Sequence, residues 1–136
     1  MTMYHASIYH FDRFRGQPCF TDEANAAIGY LNGNPGYLYT AEIDEDALVV
    51  AGEATVWRVA EELDLADGYS YTWEVLEDEP EVREALEAAG YNAVEYIDLG
   101  PDNRYEHYTL MILDPSLARI VAVDEVQEQD EEEDEE

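Results

Sequence analysis

Short apolar and aromatic segments, several of them alternating with polar residues, recur along the chain between turn sequences. Such segments are typical of β-strands, and alternation is typical of strands with one buried face. Turn-forming residues separate them, for example in the Asn-Gly-Asn-Pro-Gly sequence at 32–36. The pattern predicts strands over residues 3–9, 19–20, 37–43, 94–97, 108–113 and 117–123.

Helical periodicity occurs in three other segments. Residues 24–30 follow a Thr-Asp-Glu sequence that suits a helix start, and residues 55–65 repeat apolar positions at helical spacing. A third helix is predicted from Glu79 to Ala89, because Pro80 suits a first turn and Gly90 suits a helix end. Residues 68–75 alternate in aromatic character and are predicted as a strand or a loop. The sequence therefore predicts a compact α+β domain with mixed or antiparallel sheets and two or three helices.

Length and composition restrict the class of protein. The chain has 136 residues, which fits one domain, and 46% of them are hydrophobic, which is enough for a modest core. No apolar run approaches the roughly 18 residues of a membrane span, and no signal peptide is visible. Cys19 is the single cysteine, so no internal disulfide can form. These features indicate a soluble, cytoplasmic protein without a membrane partner.

The charge of the chain is strongly negative. It has 34 Asp and Glu residues against 6 basic ones, giving a formal net charge of -28, which opposes direct binding to nucleic acid. Ten of the residues from 124 to 136 are acidic. Such a block repels itself, so we predict a domain at 1–123 and a disordered acidic tail at 124–136. The acidity fits either adaptation to a salt-rich cell or mimicry of nucleic acid.

Five short phrases occur in a fixed order along the chain. They are Tyr4-His5-Ala6-Ser7, Cys19-Phe20-Thr21-Asp22 with Tyr30, and residues 36–43, 89–96 and 108–115. Together they resemble the small ADP-ribosyltransferases that bind NAD with a His, a Tyr and an acid, including phage-encoded anti-CRISPR members that modify a type I CRISPR surveillance complex. The resemblance implies an ADP-ribosyltransferase-like fold, NAD as the cofactor, and a protein target such as that complex.

The resemblance also assigns roles to residues. His5 and Ser7 would hold the riboses of NAD, and Tyr30 would stack on the cationic nicotinamide ring. Apart from the resemblance, Arg13 and Arg15 lie between the His5 and Cys19 strands in a chain with six basic residues, where they would offset either the pyrophosphate charge or neighbouring acids. The full set of predicted cofactor-binding residues is His5, Ala6, Ser7, Arg13, Cys19, Phe20, Thr21 and Tyr30.

The acid that would stabilise the ribose cation is not at its usual place. Members of the resembled family commonly carry Glu early in the last long strand, where this chain has Thr109. The neighbouring candidates are Asp102, Glu106 and Glu95, and the anti-CRISPR resemblance favours Asp102. We therefore predict Asp102 and Glu106 as the catalytic acids. No metal is predicted, because one Cys and three scattered His give no zinc-binding spacing.

These observations leave several functions open. The first is an NAD-dependent mono-ADP-ribosyltransferase that modifies a macromolecular target and inhibits host defence. The second is a catalytically inactive protein of the same fold that binds its partner through the acidic surface, as an inhibitor or nucleic-acid mimic. The third is the toxin of a toxin–antitoxin pair on that fold.

Overall fold

The structure, a computed structural model, describes residues 1–98 and 106–127 and confirms the predicted α+β class. Within these ranges there are seven β-strands and four α-helices. Asp44 and Asp114 each begin a single 3₁₀ turn by accepting a hydrogen bond from the N–H group two residues later. The elements are β1 (Thr2–Ser7), β2 (Cys19–Thr21), α1 (Ala24–Gly29), β3 (Gly36–Ile43), β4 (Val50–Ala51), α2 (Glu53–Glu62), α3 (Thr72–Asp78), α4 (Pro80–Ala88), β5 (Ala93–Asp98), β6 (His107–Ile112) and β7 (Ala118–Val126).

The seven strands form one mixed sheet in the order β4-β5-β6-β2-β1-β3-β7. β4 runs parallel to β5, and the other neighbouring strands are antiparallel. The short β2 occupies the middle of the sheet, where Thr21 lies opposite Tyr4 of β1 and Thr109 of β6. The strands that carry the predicted NAD-binding phrases are therefore neighbours.

Each face of the sheet carries its own hydrophobic core. On one face, α2, α3 and α4 pack on β4, β5 and β6 around residues such as Val94 and Met111. On the other face, Phe14 from the β1–β2 connection packs with Phe20 and Tyr39. Adjacent residues in a strand point to opposite faces. This alternation decides which side chains of β1, β2, β5 and β6 reach the same pocket.

Helix α3 departs from the sequence-based expectation. Residues 68–75 were expected to form a strand or a loop because their aromatic residues alternate, but Thr72–Asp78 is a helix. Thr72, Val75 and Leu76 are buried on one side of it, which is the spacing that a helix requires. The Glu74 carboxylate accepts a hydrogen bond from the Tyr71 N–H at 3.1 Å, which caps the first turn. The described residues thus contain four α-helices, rather than two or three.

The last strand extends beyond the predicted domain boundary. β7 runs to Val126, and Asp124 lies opposite Leu38 of β3. Pairing with β3 satisfies backbone hydrogen bonds along this edge, which offsets the like charge of Asp124 and Glu125. The predicted tail therefore starts inside β7, and residues 128–136 lie outside the described ranges. None of the helices in the described ranges has the length and apolar character of a membrane span.

Candidate functional site

A pocket of about 230 Å³ lies on the helical face of the sheet, between α1 and α3. Its floor comes from four adjacent strands, β5, β6, β2 and β1. Thr109 lies opposite both Thr21 and Tyr96, which places these three side chains on one face. The lining residues are Tyr4, His5, Ala6, Cys19, Phe20, Thr21, Ala27, Tyr30, Glu77, Tyr96, Asp98, His107 and Thr109.

Tyr30 is the centre of a hydrogen-bonded network at this pocket. Its hydroxyl donates to Asp98 Oδ2 at 2.8 Å and lies 3.0 Å from His107 Nε2. Because the phenol has one hydrogen, the His107 Nε2–H donates to the Tyr30 oxygen. Burial, together with Asp98, raises the pKa of Tyr30 above its usual value, so the phenol stays neutral at physiological pH. The network therefore joins α1 to β5 and β6.

Cys19 and Tyr96 form a less polar wall of the same pocket. Cys19 Sγ lies 3.5 Å from Tyr96 Oη. Burial raises the pKa of the Cys19 thiol to about 11, and burial likewise raises the pKa of Tyr96. Since only a thiolate is an effective nucleophile, the raised pKa lowers the reactivity of Cys19 near neutral pH. This wall suits contact with a ligand ring rather than covalent chemistry.

Thr109 contributes a buried hydroxyl without a partner. The residue is 4% exposed, and its Oγ1 makes no hydrogen bond within the described part of the chain. Buried polar atoms in native proteins usually have a partner, so such an atom requires an explanation. Thr109 also occupies the position at which the resembled family commonly has Glu, and its hydroxyl cannot act as a carboxylate.

His5 is among the residues that line the pocket, but its ring lies with the aromatic core of the opposite face. Its ring packs edge-on to Phe14, with 5.6 Å between ring centroids, and lies 5.8 Å from the ring of Phe20. Its Nδ1–H donates to the Cys19 carbonyl at 2.8 Å. Burial lowers the pKa of His5, which favours the neutral imidazole with Nε2 as an acceptor. His5 is therefore held rigidly in one tautomer beside β2.

An open cavity of about 760 Å³ lies beside the β1–β2 connection, and His5 lines this cavity as well as the pocket. Arg13 and Arg15 contribute cations to the cavity, and both residues are exposed. Asp12 supplies one opposing charge, and His10 a further polar side chain. The cavity is thus a rare cationic region in a chain with a net charge of -28.

The structure brings most of the predicted cofactor-binding residues together. Six of them line the pocket, namely His5, Ala6, Cys19, Phe20, Thr21 and Tyr30. The Phe20 side chain itself packs into the core of the opposite face. Two lie elsewhere: Arg13 lines the open cavity, and Ser7 Oγ accepts a hydrogen bond from the Tyr9 N–H at 3.1 Å. Their roles in binding NAD remain predictions.

Of the acids considered in the sequence, Glu106 and Glu95 are not among the described residues that line the pocket, and the catalytic roles of Asp102 and Glu106 remain predictions. Asp102 lies outside the described residues. Glu106 is exposed just before β6, and Glu95 accepts a hydrogen bond from the Tyr108 hydroxyl at 3.4 Å. Among the described residues, the carboxylates that line the pocket are Asp98 and Glu77, which sequence reasoning missed. No local signal singles them out among 34 acids, because strand pairing and α3 create their setting.

Comparison with known proteins gives a fold-level result. No protein-family model and no curated protein matches this sequence. The fold is similar to that of an anti-CRISPR protein. A crystal structure of that anti-CRISPR protein aligns with a TM-score of 0.50 and 16% sequence identity, covering 93% of this chain and 95% of the other. At this identity the likeness establishes shared architecture and leaves the chemistry to be argued from the pocket.

Proposed function

We propose that this protein is an NAD-dependent mono-ADP-ribosyltransferase that modifies a protein target and thereby inhibits host defence. The observation that carries the proposal is the pocket in which Tyr30, Asp98 and His107 form one network. Two lines of support accompany it: the ordered sequence phrases, and the fold shared with an anti-CRISPR protein. The target would be a component of a defence complex such as a CRISPR surveillance complex.

The chemistry requires an aromatic surface and a carboxylate at one place. The bond between C1′ of the nicotinamide ribose and the ring nitrogen breaks, and its electron pair leaves with nicotinamide, which becomes neutral. The ribose develops positive charge, which a nearby carboxylate stabilises as in glycoside hydrolysis. A nucleophile of the target then bonds to C1′ and loses its proton. In the pocket, Tyr30 and Tyr96 offer the aromatic surface, and the Asp98 carboxylate accepts a hydrogen bond from the Tyr30 hydroxyl.

The two cavities suit the two halves of NAD. The pocket of about 230 Å³ is below the usual size of a site for a whole drug-sized ligand, so it suits a single ring and its sugar. The open cavity offers Arg13 and Arg15 to the pyrophosphate, and His5 borders both spaces. We accordingly assign the nicotinamide end to the pocket and the phosphates to the cationic cavity.

A paired substitution tests the carboxylate. Asp98→Asn removes the charge at the pocket, whereas Glu95→Gln removes a charge from the same strand β5 without changing the pocket lining. Nicotinamide release and NAD binding by calorimetry are measured for both variants and for the unmodified protein. We expect Asp98→Asn to lower the rate by about 100-fold or more, while Glu95→Gln leaves it within about twofold. Equal rates for both variants would remove Asp98 from the mechanism, and absence of NAD binding would refute the proposed activity.

A second candidate function is partner binding without turnover. It is favoured by Thr109 at the usual Glu position and by the net charge of -28. Binding through an acidic surface weakens steeply with salt and does not depend on NAD. Affinity for a purified defence complex is therefore measured at low and high salt, with and without NAD. Strong salt dependence without any effect of NAD, and without release of nicotinamide, would favour this second function.

A further inference from the structure

Among the described residues that line the pocket, Thr109 has the one buried side-chain polar atom without a hydrogen-bond partner. Its Oγ1 is buried and has no hydrogen-bond partner in the described part of the chain. Leaving a hydroxyl buried without a partner destabilises a folded protein. A valine would fill the same space without this cost, so packing alone does not account for a threonine here.

The neighbouring side chains on the same face are engaged with other groups. Thr21 Oγ1, across β2, accepts a hydrogen bond from the Glu23 N–H at 3.4 Å. The Tyr96 hydroxyl, across β5, lies 3.5 Å from Cys19 Sγ. Thr109 stands opposite both residues, yet neither of their hydroxyls pairs with it. Its hydrogen-bonding capacity is therefore unused by the described residues, and Thr109 is one of the residues that line the pocket.

We propose that Thr109 is a specificity-determining residue that forms a hydrogen bond with a neutral polar group of the bound ligand. This inference rests on the proposed function, in which the pocket takes the nicotinamide end of NAD. A hydroxyl both donates and accepts, so it suits either the carboxamide or a ribose hydroxyl. The unligated protein is destabilised by the unsatisfied group, and the bound ligand removes that cost.

Two substitutions separate ligand binding from packing. Thr109→Val keeps the shape and removes the hydroxyl, whereas Thr109→Ser keeps the hydroxyl and removes a methyl group. We expect Thr109→Val to raise the melting temperature of the unligated protein by a few degrees and to weaken NAD binding by about tenfold. Thr109→Ser should melt lower than the unmodified protein and bind NAD within about threefold of it. Opposite signs for stability and affinity in one variant are not expected from a purely structural residue.

Calorimetry with fragments identifies the group that is bound. Titration of nicotinamide offers the carboxamide without ribose, and titration of ADP-ribose offers ribose hydroxyls without the amide. Loss of affinity in Thr109→Val for either fragment supports the inference and names the ligand group. Unchanged NAD affinity in Thr109→Val would overturn the inference while leaving the proposed function intact. If the unmodified protein binds neither NAD nor either fragment, both proposals fail.

Discussion

Tyr39 is predicted to fasten the β1–β2 connection to the sheet through its hydroxyl. The side chain is fully buried, and its ring stacks on Phe11 with 4.2 Å between centroids. The hydroxyl accepts a hydrogen bond from the Phe11 N–H at 2.9 Å and donates to the Tyr9 carbonyl at 2.8 Å. Tyr39→Phe removes both bonds and leaves the ring in place. Its effect on stability therefore measures the hydroxyl alone.

The size of the stability loss in Tyr39→Phe follows from the two groups that lose a hydrogen-bond partner, the Tyr9 carbonyl and the Phe11 N–H. Tyr9 is 70% exposed, so water can replace the lost bond to its carbonyl. Phe11 is only partly exposed, and its N–H would lose a partner in a sheltered position. An unsatisfied group of this kind costs about 1–3 kcal/mol, and we take about 2 kcal/mol for the pair. For a domain of this size, the melting temperature should fall by roughly 8 °C.

The assay is thermal unfolding followed by circular dichroism at fixed salt, with Tyr37→Phe as the control. Tyr37 lies on the same strand and is partly buried, but its hydroxyl forms no hydrogen bond within the described residues. We expect Tyr37→Phe to change the melting temperature by less than about 2 °C. A fall in Tyr37→Phe as large as that in Tyr39→Phe, or no fall in either variant, would refute the reasoning.

Two further predictions concern reactivity and close packing. Because the pKa of Cys19 is raised from 9.0 to about 11, its alkylation by iodoacetamide near pH 8 should be about 100-fold slower in the folded protein than after denaturation. Gly36→Ala should lower the free energy of unfolding by about 1–3 kcal/mol, measured with urea, because the new Cβ would lie 2.7 Å from the Ser7 carbonyl oxygen and 2.8 Å from a Leu31 methyl. Gly29→Ala, at the exposed end of α1 where the new Cβ meets nothing within 4 Å, is its control and should not lower that free energy.

Each of these predictions has a clear contrary result. Similar alkylation rates in folded and denatured protein would show that Cys19 is not sheltered in the pocket. A stable Gly36→Ala variant would show that the start of β3 can move away from Ser7 at little cost.

The sequence was sufficient where local chemistry decides the structure. Pro80 and Gly90 marked the ends of α4, and the alternating residues of β3 marked that strand within one position. It failed at α3, because Tyr69, Tyr71 and Trp73 alternate as in a strand. The burial of Val75 and Leu76 against the neighbouring helices decides the conformation there. Tertiary packing overrode the local pattern.

The candidate site was predictable only in part, for a related reason. Tyr30 and Thr21 belong to a recognisable local phrase, so their proximity to Cys19 could be foreseen. Asp98 enters the pocket because β5 pairs with β6, and Glu77 because α3 flanks the sheet. The residues that flank Asp98 and Glu77 in the sequence do not indicate these long-range contacts. The contact between Asp98 and Tyr30 could therefore be found only in the folded molecule.

The shortness of β2 has a mechanical consequence. This central strand has three residues, and β1 meets it at the single paired position Tyr4–Thr21. The sheet therefore has its fewest paired residues at the boundary between two halves. One half contains β4, β5 and β6, and the other contains β1, β3 and β7. The hydrogen bond from Tyr30, at the end of α1, to Asp98 of β5 links the two halves across that boundary. A ligand in the pocket would contact residues of both halves of the sheet. Binding would therefore restrict relative motion of the two halves at this weakly paired boundary.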